Sequence, residues 1–297
     1  MKLFLLTFLN GLTAAGLYFL VASGFTLVFG LMRNVNLAHG SLYLLGAYLG
    51  WEVGDRTGPW FLAVVGDPSV SWFLAVLAGS LSAAILGILL QILVFRRMEG
   101  QELRQTMVTI GISIVMADLM LARWTGETYQ FEPPDWLYGA TPLPFVKVYP
   151  TIRIMVLVVS VVVGVLLWLF LTRTRIGMMI RAGVDDRGML SASGVNVQRI
   201  FATTFAVGAG LAGLAGVVGG SALSIAPGED TRYLLASLIV VIVGGMGSVP
   251  GAAIGALLIG LAEQFGLAYS PTYSVVYTFL IMVVVLAIRP QGILGRA

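Results

Sequence analysis
From Leu234 to Gly266 the chain is apolar for 33 residues, interrupted only by Gly-Gly-Met-Gly-Ser-Val-Pro-Gly at 244–251. One bilayer crossing takes about 20 residues, and a Gly/Pro cluster marks a chain break. The stretch therefore predicts two membrane segments around a tight turn. Seven further apolar runs, at 3–31, 35–51, 71–95, 106–122, 154–171, 200–226 and 273–288, repeat the pattern. The expected fold is an all-α, polytopic transmembrane helical bundle of about nine segments (eight to ten), some discontinuous or re-entrant. It forms one transmembrane domain over residues 1–297.

Composition excludes the soluble alternatives. Hydrophobic residues are 58% of the 297 and charged residues 10%, with a mean hydropathy of +0.96. A soluble domain is roughly a quarter charged, and a globule of this composition would expose large apolar patches. A cytosolic enzyme, a disordered chain and a nucleic-acid-binding domain are all excluded. The first run is longer than a signal-peptide core and lacks a small-x-small cleavage site before Arg33, so it reads as a retained span. There are no cysteines and one histidine, which removes disulfides, thiolate chemistry and multi-His metal sites.

Basic residues set the orientation. Arg33, Arg96, Arg97, Arg104, Arg173, Arg175, Arg181, Arg187, Arg199, Arg289 and Arg296 fall on one side, eleven of the seventeen Lys and Arg residues. That side is cytoplasmic by the positive-inside rule. The segments 52–68, holding Glu52, Asp55, Arg56, Pro59 and Asp67, and 123–150, with five prolines, read as external loops. Trp60–Val65 within the first is too short to span.

Two polar interruptions mark a solute pathway. Asn34, Asn36, His39 and Ser41 place four hydrogen-bonding side chains at a membrane boundary, and Gly244, Gly245, Gly247 and Ser248 form the second break. Irregular backbone at that depth is tolerated only where protein buries it or water fills a cavity. Packing turns would show the same residues. His39 fits a neutral hydrogen-bonding role better than proton coupling. Asp118 and Glu263 lie within apolar runs but toward their outer ends, where interfacial solvation or local pairing accounts for them; Arg123 stands five residues after Asp118. The stripes Gly208, Ala212, Gly216, Gly220 and Ala252, Ala256, Gly260 read as close helix packing.

The polar segment 172–199 carries a short helix on the cytoplasmic side. Asp185 suits its N-cap, Asp186 adds negative charge at its positive end, and Gly194 suits its stop. Arg187, Met189, Leu190 and Ala192 lie between, and Met189 and Leu190 need a surface that lipid does not supply there.

Three stretches resemble one family in order along nearly the whole chain. They are Gly30-Leu-Met-Arg-Asn-Val-Asn-Leu-Ala-His-Gly-Ser41, Arg181-Ala-Gly-Val-Asp-Asp-Arg187 with Ser193-Gly-Val-Asn196, and Val243-Gly-Gly-Met-Gly-Ser-Val-Pro-Gly251. They resemble the permease subunits of bacterial branched-chain amino-acid ABC importers, and the chain resembles the shorter of two permease types. The resemblance implies a multi-pass protein of the bacterial inner membrane, moving leucine, isoleucine or valine. It implies a second permease subunit, two ATP-binding subunits carrying ATP and Mg, and an external substrate-binding protein. It also places the helix that docks on the ATPase within 181–196. The chain has no Gly-x-x-x-x-Gly-Lys-Ser/Thr motif and is expected not to be an enzyme, with no cofactor and no metal of its own. The same architecture carrying urea, short amides or another amino acid is the alternative. An autonomous channel or ion-coupled carrier, which would work without partners, is the competing class. A membrane-embedded enzyme lacks any paired carboxylates or nucleophile–base set.

Overall fold
The computed structural model describes residues 2–32, 35–67, 69–143, 146 and 148–295. Among these, eleven α-helices follow in order: α1 (Lys2–Met32), α2 (His39–Val65), α3 (Ser69–Leu93), α4 (Glu102–Trp124), α5 (Thr151–Arg173), α6 (Arg175–Asp185), α7 (Arg187–Ala192), α8 (Val197–Ala222), α9 (Glu229–Gly244), α10 (Val249–Tyr269) and α11 (Ser274–Ile288). Seven spans are long and apolar enough to cross a membrane: α1, α3 with its 3-10 extension to Met98, α4, α5, α8, α10, and α11 with the 3-10 turn that begins at Pro271. The chain is a multi-pass membrane protein.

α1 is the central post. It is apolar on every side, and a helix without a polar face belongs in an interior; 89% of its apolar stretch is buried. Its small residues let neighbouring backbones touch. A Cβ on Gly24 would land on the carbonyl oxygen of Gly208 in α8, and one on Gly11 would lie 3.1 Å from Leu261 Cα in α10. The same device recurs outward. Gly46 of α2 faces Gly213 of α8, Gly79 of α3 faces the Gly46 carbonyl, and Gly216 faces the Tyr43 carbonyl. Both small-residue stripes of the sequence are thus packing faces inside the subunit. Gly208 meets α1 and Gly216 meets α2, while Gly260 meets Ala15.

The 33-residue run divides as its Gly/Pro cluster predicts, into α9 and α10. They form a tight antiparallel hairpin, with Gly244 against Gly251 and Gly255 against the Val240 carbonyl. Between α4 and α5, Ala140–Thr141 pairs with Tyr149–Pro150 as a two-residue β ladder, and Tyr129 bridges to Ile225.

One loop of the sequence reading is helix. α2 continues through 52–65 and stops at Gly66, whose φ of 73° suits only a residue without a Cβ. The charges that suggested a loop are solvated on the outer surface and support the helix there, since Arg56 pairs with Glu52 one turn away. Pro59 lies inside the helix at an exposed position. Glu263 pairs as the sequence suggests: it accepts from the Tyr18 hydroxyl and faces Arg232 at 3.8 Å.

The glycine contacts give a direct stability test. Gly24→Leu forces a side chain into backbone that cannot yield, and should lower the detergent-solubilised protein's unfolding free energy by about 3 kcal/mol. Gly126→Ala, where a Cβ meets nothing within 4 Å, should change it by less than about 0.5 kcal/mol. Equal thermal midpoints for the two variants would refute close backbone contact between α1 and α8.

Candidate functional site
The first break lies between α1 and α2. Asn34 is outside the described residues; residues 35–38 are non-helical and turn back against α1. Asn36 organises the turn: its Oδ1 accepts from Ala38 N–H at 3.1 Å and its carbonyl from His39 N–H at 3.2 Å. Leu37 N–H donates to Thr109 Oγ1 of α4 at 3.2 Å. His39 Nε2 lies 3.1 Å from the Val21 carbonyl. A carbonyl only accepts, so the ring carries its proton on Nε2. The ring meets Phe25 edge-on at 5.4 Å, and Ser41 Oγ donates to the Ser113 carbonyl at 3.5 Å. Asn36, His39 and Ser41 are 5%, 1% and 1% exposed, so all three are covered, with α4 closing over them. Asn36 Nδ2 has no partner among the described residues.

The second break, 245–248, is braced on three sides. Gly245 and Gly247 have φ of 108° and 81°, which excludes Cβ-bearing residues without strain. Gly247 N–H donates to Thr26 Oγ1 at 3.1 Å. Ser248 caps α10, its Oγ accepting from Gly251 N–H at 3.1 Å. The tail after α11 satisfies the end of α9: Ile293 and Leu294 N–H donate to the Val243 and Gly244 carbonyls, each at 2.9 Å. Gly244 and Gly245 are buried, Gly247 and Ser248 half-buried, and Met246 is exposed. Both breaks therefore rest on the last three turns of α1, the first at Val21–Phe25 and the second at Thr26–Gly30.

The polar segment 172–199 holds two short helices. Thr174 caps α6, accepting from Gly177 N–H at 3.0 Å, and Asp186 caps α7, accepting from Met189 N–H at 3.0 Å. The cap is Asp186, one residue later than the sequence suggests, because Asp185 completes the last turn of α6. Gly194, with φ of 77°, follows α7 as expected. The apolar pair divides: Leu190 is buried at 7% exposure against its own chain, whereas Met189 is 71% exposed. Gly188, Ser191 and Ala192 are exposed alongside Met189, as are Asp185, Asp186 and Gly194. Arg187 stacks its guanidinium 5.4 Å over Phe201 of α8.

A connection that the motif reading missed joins these parts. Val184, in the last turn of α6, fills the space beside Gly30 and Gly247, where Cβ atoms would lie 3.6 and 4.0 Å from its methyl groups. Ile180, one turn earlier, is buried among Leu27, Leu31, Leu167, Leu171, Ile200 and Phe201. The i, i+4 spacing of Ile180 and Val184 was the available signal. The α6–α7 hairpin is thereby keyed into α1 beside the second break.

A family model described as "Branched-chain amino acid transport system / permease component" matches residues 7–286. The chain belongs to that family. It is 33% identical over 97% of its length to the "High-affinity branched-chain amino acid transport system permease protein BraD" of Pseudomonas aeruginosa, covering 94% of that protein. It is 30% identical over 99% of its length to the corresponding permease protein LivH of Salmonella typhimurium, covering 96% of it. The LivM permease protein of the same organism is 26% identical over 95% of this chain, which covers 68% of LivM. The chain thus matches the shorter permease type end to end. As a family member it is a transport component.

The covered first break makes a prediction. Single cysteines replacing Asn36, His39 or Ser41 should resist water-soluble thiol reagents in the resting protein, and one replacing Met246 should react. A cysteine at 39 that reacts as fast as one at 246 would show that α4 does not close the break.

Proposed function
We propose that this chain is one of two permease subunits of an ATP-driven importer that moves leucine, isoleucine and valine across the bacterial inner membrane. The substrate is carried over from relatives that match nearly end to end and bear that name. In this reading two separate subunits bind ATP and Mg, since this chain has no phosphate-binding loop, and an external binding protein delivers the amino acid.

The observation that carries the reading is Met189. It is a large apolar side chain, 71% exposed, on a two-turn capped helix among polar residues. Such a residue is a natural anchor for a protein surface. α7 docks on the ATPase through Met189, with Gly188, Ser191 and Ala192 allowing close approach. Leu190 holds α7 to its own chain. Movement of α7 passes through α6 to Val184 and so to the contact of Gly30 with Gly247. The breaks then respond as hinges, and their buried polar groups exchange partners rather than hold a ligand tightly. A weak path suits a transporter, because a strongly held solute leaves slowly.

Met189→Asp places a charge in the docking contact and should lower ATP-driven uptake by about ten-fold or more, the scale of a lost interface anchor. Membrane insertion should be unchanged, and ATPase subunits should no longer co-purify in full ratio. Normal uptake with normal ATPase association would refute the docking assignment.

A further inference from the structure
Five helices enclose a cavity of about 110 Å³, room for several waters. Asn10 of α1, Arg153 in the first turn of α5 and Gln264 near the end of α10 form its polar wall. Ala14 and Leu17 of α1, with Ala222 and Leu223 at the end of α8, form an apolar wall. Tyr18 and Tyr233, both buried, and Arg232 in the first turn of α9 close it. Asn10, Arg153 and Gln264 also line an adjoining groove of about 360 Å³, so they stand where the cavity opens. The α6–α7 hairpin follows the other end of α5, about 30 Å from Arg153 at 1.5 Å per residue.

The two cations of this cavity differ. Arg232 is balanced twice, by Glu229 at 3.4 Å and by Glu263 at 3.8 Å. Arg153 makes no ion pair among the described residues, and its one side-chain hydrogen bond among them is to Asn10 Oδ1 at 2.5 Å. A guanidinium carries five N–H donors in a planar fork, so most of the fork is left to water or a ligand. The cavity also adjoins the first break. Tyr18 is one turn of α1 from Val21, whose carbonyl meets His39. Tyr43 is one turn of α2 from His39, and its ring lies 4.3 Å from that of Tyr233, which meets Tyr18 at 6.1 Å. A layer of three tyrosines separates the cavity from the break.

We propose that this cavity is an entry site for the amino acid, in which Arg153 takes the carboxylate and the apolar wall takes the branched side chain. The proposal rests on the amino-acid reading given above. Arginine matches a carboxylate through two parallel N–H contacts. A few polar groups beside an apolar wall are the make-up of a small-molecule site. One ionic contact at the mouth of a small cavity leaves the solute free to move on, and the tyrosine layer must part before it reaches the first break. The carboxylate sets the selectivity. Leucine enters, whereas leucinamide, with the same side chain and no carboxylate, does not.

The test uses a leucine analogue whose side chain carries a photoreactive diazirine. Labelling is done on the permease–ATPase complex in proteoliposomes without the binding protein, so that competition reports this site; uptake is measured on the complete importer. Light should attach the analogue to this chain within 14–17 and 222–223, as mapped by mass spectrometry. Excess leucine should abolish the labelling, and leucinamide at the same concentration should leave it. Arg153→Gln should lower both this labelling and the maximal rate of leucine uptake by about ten-fold or more, the worth of one charge-assisted hydrogen bond. Arg153→Lys should restore a large part of both. Leu223→Trp keeps the charge and fills the cavity, and should lower both as well. Labelling of this chain only elsewhere, equal competition by leucinamide, or undiminished labelling in Arg153→Gln would overturn the proposal. If Arg153→Gln fails to assemble, wild-type labelling and uptake by Leu223→Trp would overturn it and make Arg153 a structural link between α1 and α5. A wild-type complex that imports another solute and no branched-chain amino acid would overturn the functional reading instead.

Discussion
The structure depends on backbone meeting backbone around α1. Within a bilayer no hydrophobic force drives helices together, because lipid tails are as apolar as side chains. Association needs close van der Waals contact, and Gly24 against Gly208, Gly46 against Gly213 and Gly260 against Ala15 supply it. Little side-chain volume separates α1, α2, α3, α8 and α10. Both membrane breaks lie on the same three turns of α1.

That arrangement links the α6–α7 hairpin to both breaks. Val184 touches the place where α1 and the second break meet, and the tail after α11 completes the hydrogen bonding of α9 at the same point. The first break is a few residues farther along α1 under the cover of α4. A displacement beginning at the exposed Met189 has a short, continuous path of packed groups to both. α4 is among the least buried spans: it packs beside the first break with one face and leaves the other exposed.

Much of the fold was legible in the sequence because lipid imposes length. The nine segments, the division of 234–266 and the packing role of the glycine stripes follow from residue type alone. Three features were not legible. Glu52, Asp55 and Arg56 look like a loop by composition, yet at an aqueous surface an i, i+4 pair supports continued helix, so α2 ran on to Val65. Asp185 and Asp186 are equally good caps, and the register of α6 decided between them. The seating of Val184 beside Gly30 and Gly247 joins residues far apart in sequence, so no local pattern announced that contact. Asn36, His39 and Ser41 gather at one turn, but its contacts to α4, Leu37 with Thr109 and Ser41 with Ser113, each join residues 72 apart in sequence.

In the proposed importer this permease is powered from outside itself. The most direct measurement is the initial rate of radiolabelled leucine uptake into proteoliposomes, comparing this chain alone, the two permeases together and the complete importer. Uptake should occur only in the complete importer, with ATP inside and the loaded binding protein outside, and should accumulate leucine above its external concentration. Equilibrating uptake of leucine by this chain alone, at the rate of the full complex and without ATP, would contradict the account and make the protein an autonomous carrier.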